Sequence, residues 1–388
     1  MRLALPLLLP QLLVAACGGW VDTSAPWERG RDHDVGRPVL AFRWKKIIAD
    51  HGSTNRPQEM AQAAVAANGN DAELRDGRGT VFIGSHDGKF RALSPRDGSE
   101  RWVKDLGPVS GVPVVLGDLV YVGGDDGVLH ALATSDGAER WKYAAKGAIL
   151  RPPVASGDLL IFATDGDRVI ALDRGSGKWR WQYEREPPEE FTVRGHAGVT
   201  VDGEQVLSGF SDGHLVSMAR TSGDVLWVRS LAGDAKQFVD VDSTPVVQAG
   251  VVYAASVQGG LYGIQASDGT ERWQASIVGV SQVVLDSDRL FVIGAESGLH
   301  AVDLSGNVLW RQGFARAGDP GLPVVSGHYL FLTVSEQGLY VIDKRDGQLV
   351  QSFLPGNGIT AAPAIRGDSM FVMSNGGILY AMSVRRFW

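Results

Sequence analysis

The segment Ala92-Leu93-Ser94-Pro95-Arg96-Asp97-Gly98-Ser99-Glu100-Arg101-Trp102 returns 39 residues later as Ala131-Leu132-Ala133-Thr134-Ser135-Asp136-Gly137-Ala138-Glu139-Arg140-Trp141. Both copies read as an apolar strand, a polar tight turn and a strand carrying a tryptophan. Four more units close the same way, Gly177 to Trp181, Gly223 to Trp227, Gly269 to Trp273 and Gly306 to Trp310, so successive tryptophans stand 39, 40, 46, 46 and 37 residues apart. A period near 40 with four short strands per unit is the signature of propeller blades, each of which buries its faces only against its neighbours. The glycine before each tryptophan strand suits a turn that needs φ > 0, and the adjoining Asp or Ser can bond the turn backbone. A tryptophan on the outer strand fills the gap between blades, with its ring N–H finding an acceptor.

Counting strands near Val81, Tyr121, Leu160, Val206, Val252, Leu290, Tyr329 and Met370 gives eight units. The last ends too soon, since only six residues follow Met382. Near the N-terminus, Leu40-Ala41-Phe42-Arg43-Trp44-Lys45-Lys46 has the form of an outer strand with no partners before it. The expectation is an all-β, eight-bladed propeller of four-stranded antiparallel blades over 39–388, its ring closed by that N-terminal strand, which removes an exposed edge. The plain alternative is a loose arm. In the seventh unit Gln351 stands where the tryptophan belongs, so that joint should pack differently. Met60 to Ala67 reads as the first inner strand and Asn68 to Thr80 as a long loop.

The 388 residues exceed the usual single core, but repeat folds grow by adding units. With 37 basic and 44 acidic residues, a formal charge of −7, the chain offers no general attraction for nucleic acid. The N-terminus speaks to the compartment. Arg2 and the apolar run Leu3 to Ala16 have the size of a signal peptide (1–16) and are short for a membrane span. The run ends in Val14-Ala15-Ala16-Cys17, which resembles a bacterial lipobox, and Cys17 is the one cysteine of the chain. A lone cysteine in an exported protein has no internal partner, so lipidation at Cys17 is the expectation, with an ordinary secretory cut nearby as the alternative. Residues 17–38 then read as the lipidated cysteine and a polar, turn-rich tether. Gly18 stands where aspartate would mark inner-membrane retention, so the lipobox resemblance implies the periplasmic face of the outer membrane.

Catalytic constellations are sparse. The eight histidines show no metal-ligand spacing. His130 and His300 share one repeat slot with Arg91, Ile170, Val216, Tyr262, Tyr340 and Tyr380, which argues for a tolerant surface or inter-blade position. Gly123-Gly124 and Gly259-Gly260 precede no helix and are not phosphate loops. The repeat itself resembles that of pyrroloquinoline quinone enzymes, which raises a periplasmic dehydrogenase as a reading. Against it, there is no second cysteine for the vicinal disulfide of the alcohol dehydrogenases, and no calcium site or catalytic aspartate at matching positions. The expectation is a non-enzyme with no catalytic residue, cofactor or metal.

The two 46-residue intervals point elsewhere. They enlarge the connections Gln182 to Ala197 and Val228 to Thr244, which cross one face side by side, and loops enlarged on a rigid scaffold are where binding specificity usually sits. The first carries Phe191-Thr192-Val193-Arg194-Gly195 behind the acidic stretch 184–190. The second carries Val239-Asp240-Val241-Asp242-Ser243-Thr244-Pro245, whose alternation sends both aspartates to one side. An arginine beside two carboxylates and two apolar groups has the composition of a protein-binding hot spot. The alternative is that Arg194 pairs with those aspartates and pins the loops.

Lipobox, tether, eight quinoprotein-like repeats, an element like Leu-x-Leu-Arg-Gly and an Asp-x-Asp-x-Thr-Pro element together resemble the BamB family, the lipoproteins of the outer-membrane β-barrel assembly (BAM) machinery. The resemblance implies a scaffold that contacts the POTRA domains of BamA through Phe191, Val193, Arg194, Asp240 and Asp242 and assists unfolded outer-membrane β-barrel precursors. Phe191-Thr192-Val193 replaces the family's two leucines around a serine, and the acidic stretch has no counterpart in it.

Overall fold

The computed structural model describes residues 38–50, 59–67, 71–187, 196–233, 235, 239–294, 297–313 and 318–385. Among them, 32 strands form eight four-stranded antiparallel sheets. Seven sheets use consecutive strands, over 64–105, 114–144, 154–184, 199–230, 246–275, 280–312 and 324–353. The eighth takes three strands from 364–384 and its fourth, Leu40–Ile47, from the other end of the chain. That strand runs antiparallel to Ile378–Val384 from Leu40 opposite Val384 to Ile47 opposite Ile378. The ring is therefore closed by the N-terminal strand, and the loose-arm alternative fails. First strands of neighbouring sheets pack on each other, which places them at the axis, with the tryptophan strands outermost.

Each joint has the same construction. The indole Nε1 of Trp44, Trp102, Trp141, Trp181, Trp227, Trp273 and Trp310 donates to a backbone carbonyl of the next blade, Pro95, Thr134, Arg174, Arg220, Ala266, Leu304 and Lys344, at 2.8–3.3 Å. The ring also lies on that blade's turn glycine. At Gly223 (φ +77°) a Cβ would sit 2.6 Å from Trp181 Cε3, so the position needs glycine for both its backbone and its missing side chain. Across its own sheet each tryptophan faces a small residue beside a β-bulge: Ala92, Ala131, Ala171, Ser217, Gly263, Ala301 and, for Trp44, Ala381. In the seventh blade the facing residue is Val341 and the indole is replaced by Gln351. Gln351 Oε1 instead accepts the Leu40 N–H at 2.9 Å, tying the seventh blade to the closing strand where no turn glycine exists to be covered.

One sequence expectation needs correction. Of Met60 to Ala67, only Ala64–Ala66 is strand, and the segment before Thr80 contains a one-turn helix, Asp71–Arg75, whose Arg75 pairs with Asp368 at 2.5 Å. The slot shared by Arg91, His130 and His300, expected at a surface or an inter-blade position, is covered: each is 6% exposed.

Candidate functional site

The third-to-fifth blades meet on the face where the enlarged connections run. The described parts of those connections touch: Gly198 N–H donates to Thr244 Oγ1 (2.9 Å) and Thr200 Oγ1 donates to the Pro245 carbonyl (2.5 Å). Arg151, which precedes the first strand of the third blade, binds both, donating from Nε to the His196 carbonyl (2.8 Å) and from Nη2 to the Asp242 carbonyl (3.5 Å). The neighbouring arrangement of the two connections follows from these bonds.

Phe191, Val193 and Arg194, with residues 188–190 of the acidic stretch, lie outside the described residues, as does Cys17. Asp240 and Asp242 are placed on one segment and are almost fully covered, 2% and 6% exposed. Val241 between them fills the space left by Gly209, where a Cβ would lie 2.3 Å from Val241 Cγ1. The segment is held by Val241 N–H to the Phe210 carbonyl (3.1 Å) and Val257 N–H to the Asp240 carbonyl (3.0 Å). The aspartates thus build the loop from beneath.

Three residues join them that the motif reading did not single out. His196 Nδ1 lies 3.8 Å from Asp167 Oδ1, an ion-pair separation rather than a hydrogen bond. Asp167 accepts the Ser211 N–H at 3.0 Å and also the Ser211 hydroxyl. Its φ is +53°, at the position where the first, second and fourth blades carry Gly88, Gly127 and Gly213 at +79° to +82°. Aligning the turns would have exposed this departure in sequence. Arg151 is the third.

The electrostatics are uneven. Burial, then the adjacent Asp240 charge, pushes the Asp242 carboxyl up to about 7, against the pull of His196 and Arg151. Burial acts to lower His196, but Asp167, with Asp242 and Asp165, raises it. Burial acts to raise Asp167, but His196 and Ser211 hold it below the usual carboxylate range. An ordinary catalytic site would aim such groups into a substrate cleft; here the space beside Asp167 and His196 is too small to admit even a water. No cluster of His, Cys, Asp and Glu able to hold a metal occurs among the described residues. What the arrangement does is fix the shape and charge of a loop face.

An eight-bladed ring of quinoprotein-type repeats with specialised connections on one face defines the class. The family model described as "Outer membrane protein assembly factor BamB" matches residues 86–305 and 295–386, and the chain belongs to that family. A relative of that name from Alkalilimnicola ehrlichii is 33% identical over 198 residues, covering 49% of this chain and 52% of its own. The one from Escherichia coli is 25% identical over 199 residues, covering 50% and 51%. The chain thus spans about half the length of the curated relatives it matches. The crystal structure of BamB from Moraxella catarrhalis superposes with a TM-score of 0.71 at 22% identity, over 89% of this chain and all of that one. A quinohemoprotein alcohol dehydrogenase from Comamonas testosteroni gives 0.67 at 13%, over 90% and 78%, a likeness of fold alone.

Proposed function

We propose that this chain is a non-enzymatic scaffold of outer-membrane β-barrel assembly. It docks on the periplasmic POTRA domains of BamA through the face built by its two enlarged connections, and it assists β-barrel precursors there. The observation that carries the reading is the locked pair of connections beside Asp240 and Asp242, in a chain of the BamB family. In this proposal Phe191, Val193 and Arg194 supply contacts to BamA, and Asp240 and Asp242 supply charge and shape to the same face. Cys17, lipidated after removal of residues 1–16, holds the propeller through the tether 17–38 at the periplasmic face of the outer membrane. Nucleic acid and cofactors have no part in it.

The test is co-purification of BamA with the tagged, lipidated chain. Arg194→Glu and Phe191→Asp are expected to reduce recovered BamA strongly while the thermal melt of the propeller stays in place; unchanged recovery in both overturns the site. Globomycin-type inhibition of lipoprotein processing, with Cys17→Ser as comparison, checks the anchor by its membrane fractionation.

A further inference from the structure

One outer strand of the ring is covered where the others are partly open to water. Leu349–Phe353, the fourth strand of the seventh blade, has no exposed residue, whereas every other outer strand has at least two. The residue after the tryptophan is exposed in the other seven blades, Val103 at 37% and Val228 at 45% among them. Its counterpart Ser352 is 0% exposed, between Gln351 and Phe353, which are also buried. The eighth blade accounts for those two neighbours. Gln351 Oε1 accepts the Leu40 N–H, and the Phe353 ring meets the Tyr380 ring edge to face, centroids 4.9 Å apart, in one cluster with Val39 and Leu40. Side chains alternate along a strand, so Ser352 faces the other way, onto the flank that is exposed in the other blades.

The backbone of this strand narrows the nature of the cover. Leu349–Phe353 is the last strand of its sheet and pairs on one side, with Gly338–Asp343. Its other edge therefore carries N–H and C=O groups that no strand of the seventh blade satisfies. Such groups are satisfied by water when open and are costly once covered, yet Ser352 is covered, backbone included. The cover must supply main-chain partners, which an extended segment of chain does. Chain continuity delivers such a segment. The closing strand begins at Leu40, whose N–H lies on Gln351, and the Val39 carbonyl before it accepts the Arg385 N–H at 2.8 Å, so the residues upstream start beside the seventh blade. Among them, Trp27 to Arg37 is the stretch between Pro26 and Pro38 in which every residue keeps its N–H, as pairing along an edge requires.

We propose that Trp27 to Arg37, which lie outside the described residues, run along Leu349–Phe353 as a fifth strand of the seventh blade. This contact is internal to the chain and holds whether or not BamA is the partner. Where the anchor and docking readings also hold, it sets their geometry. Of the 22 residues 17–38, ten (17–26) stay free, which cuts the reach from Cys17 from about 75 Å to about 35 Å. The seventh blade stands across the eight-membered ring from the third, so the enlarged connections are held on the side away from the anchor.

The experiment is thiol labelling of the full chain carrying Cys17→Ala with Ser352→Cys, compared with Cys17→Ala with Val103→Cys. Maleimide is expected to react at 352 at least about ten-fold more slowly than at 103. Replacing residues 27–37 by a Gly/Ser run of equal length should bring the two rates within about two-fold. In the unaltered chain, hydrogen exchange should be at least about ten-fold slower over 27–37 than over 18–26, a measurement that needs no variant to fold. A thiol at 352 that stays slow after the replacement assigns the cover to another segment, such as 314–317 or 386–388, and overturns the proposal. Labelling at 352 as fast as at 103 from the start, or equal hydrogen exchange over 27–37 and 18–26, overturns it as well.

Discussion

Replacing Asp242 by Asn should leave the propeller unchanged near pH 4 and make it progressively more stable from there to about pH 7 and above. The Asp242 carboxyl is 6% exposed, has Asp240 beside it, and is pushed up to about 7 from its usual 3.8. Below both values the group is protonated folded and unfolded, and it contributes nothing to pH dependence. Between them the unfolded chain releases the proton and the folded chain keeps it, so the folded state binds more protons and stability falls as pH rises. Above about 7 the loss is complete, and at about 1.4 kcal/mol per pH unit it amounts to about 4 kcal/mol. Asparagine is nearly isosteric and never ionises, so it removes this loss. The attraction of His196 and Arg151 for the carboxylate is already contained in the value of about 7, so the expected gain at pH 8 is about 4 kcal/mol. His196, raised by Asp167, works in the same direction: its contribution is present in acid and is lost as pH rises through its folded value. Urea unfolding of wild type and Asp242→Asn from pH 4 to pH 8.5 reads the difference. The two curves should start together near pH 4, separate steadily up to about pH 7 and keep their separation above it. Parallel curves, or a wild type that gains stability from pH 5 to pH 8, would refute the assignment of a buried, strained carboxylate at this position.

Two further substitutions probe the ring. Gly223→Ala combines a φ of +77° with a Cβ 2.6 Å from Trp181, and should cost about 2–4 kcal/mol in urea unfolding, against about 1 kcal/mol for Gly203→Ala, where φ is +59° and nothing lies within 4 Å; equal costs would show that the indole contact is immaterial. Gln351→Leu leaves the buried Leu40 N–H without an acceptor and should cost about 1–3 kcal/mol, with limited proteolysis releasing the N-terminal strand earlier than in wild type, whereas an unchanged digestion pattern would remove Gln351 from the closure.

The scaffold was readable from sequence because one short-range device is repeated. Gly98 and its equivalents sit at φ near +70° to +92°, and each tryptophan covers the next blade's glycine, so the spacing of Gly and Trp is the spacing of the joints themselves. The closing strand was readable by its lack of partners, and Gln351 by its departure from the pattern. The site was less legible, because burial is set by what the chain folds over a residue. Asp240 and Asp242 alternate as an exposed strand would, yet Val241 anchors the segment against Gly209 and draws both carboxylates inward. Asp167 and Arg151 come from other blades, and nothing local in sequence announces that they converge on His196. Whether the slot of His130 is surface or inter-blade was not legible for a related reason. Chemically different side chains can occupy one buried position when each brings its own partner, as Arg91 does with Asp87 and Tyr262 does with Gln274.

The same comparison of blades bears on why the third-to-fifth sector is the place to look for a partner. Elsewhere on this face a connection is held to the blade it enters by inexpensive bonds: Ser110 donates to Asp125 from both its N–H and its hydroxyl at 2.9 Å, and Thr360 N–H donates to Asn375 Oδ1 at 3.1 Å. The third blade keeps that tie, Ala148 N–H donating to Asp165 Oδ1 at 2.6 Å, and the third-to-fifth sector adds an aspartate at positive φ, an arginine drawn out of water and a carboxylate pushed up to about 7. Each of these lowers stability where a serine, a glycine or an asparagine would not. A fold assembled from interchangeable repeats has cheap solutions available at its joints, and the costly groups beside the two enlarged connections fit the docking face proposed above. The enlarged loops, the buried charges and the proposed docking face share one sector, and the Asp242→Asn titration tests the energetic premise directly: a variant that is more stable at pH 8 yet recovers less BamA would show stability given up for binding.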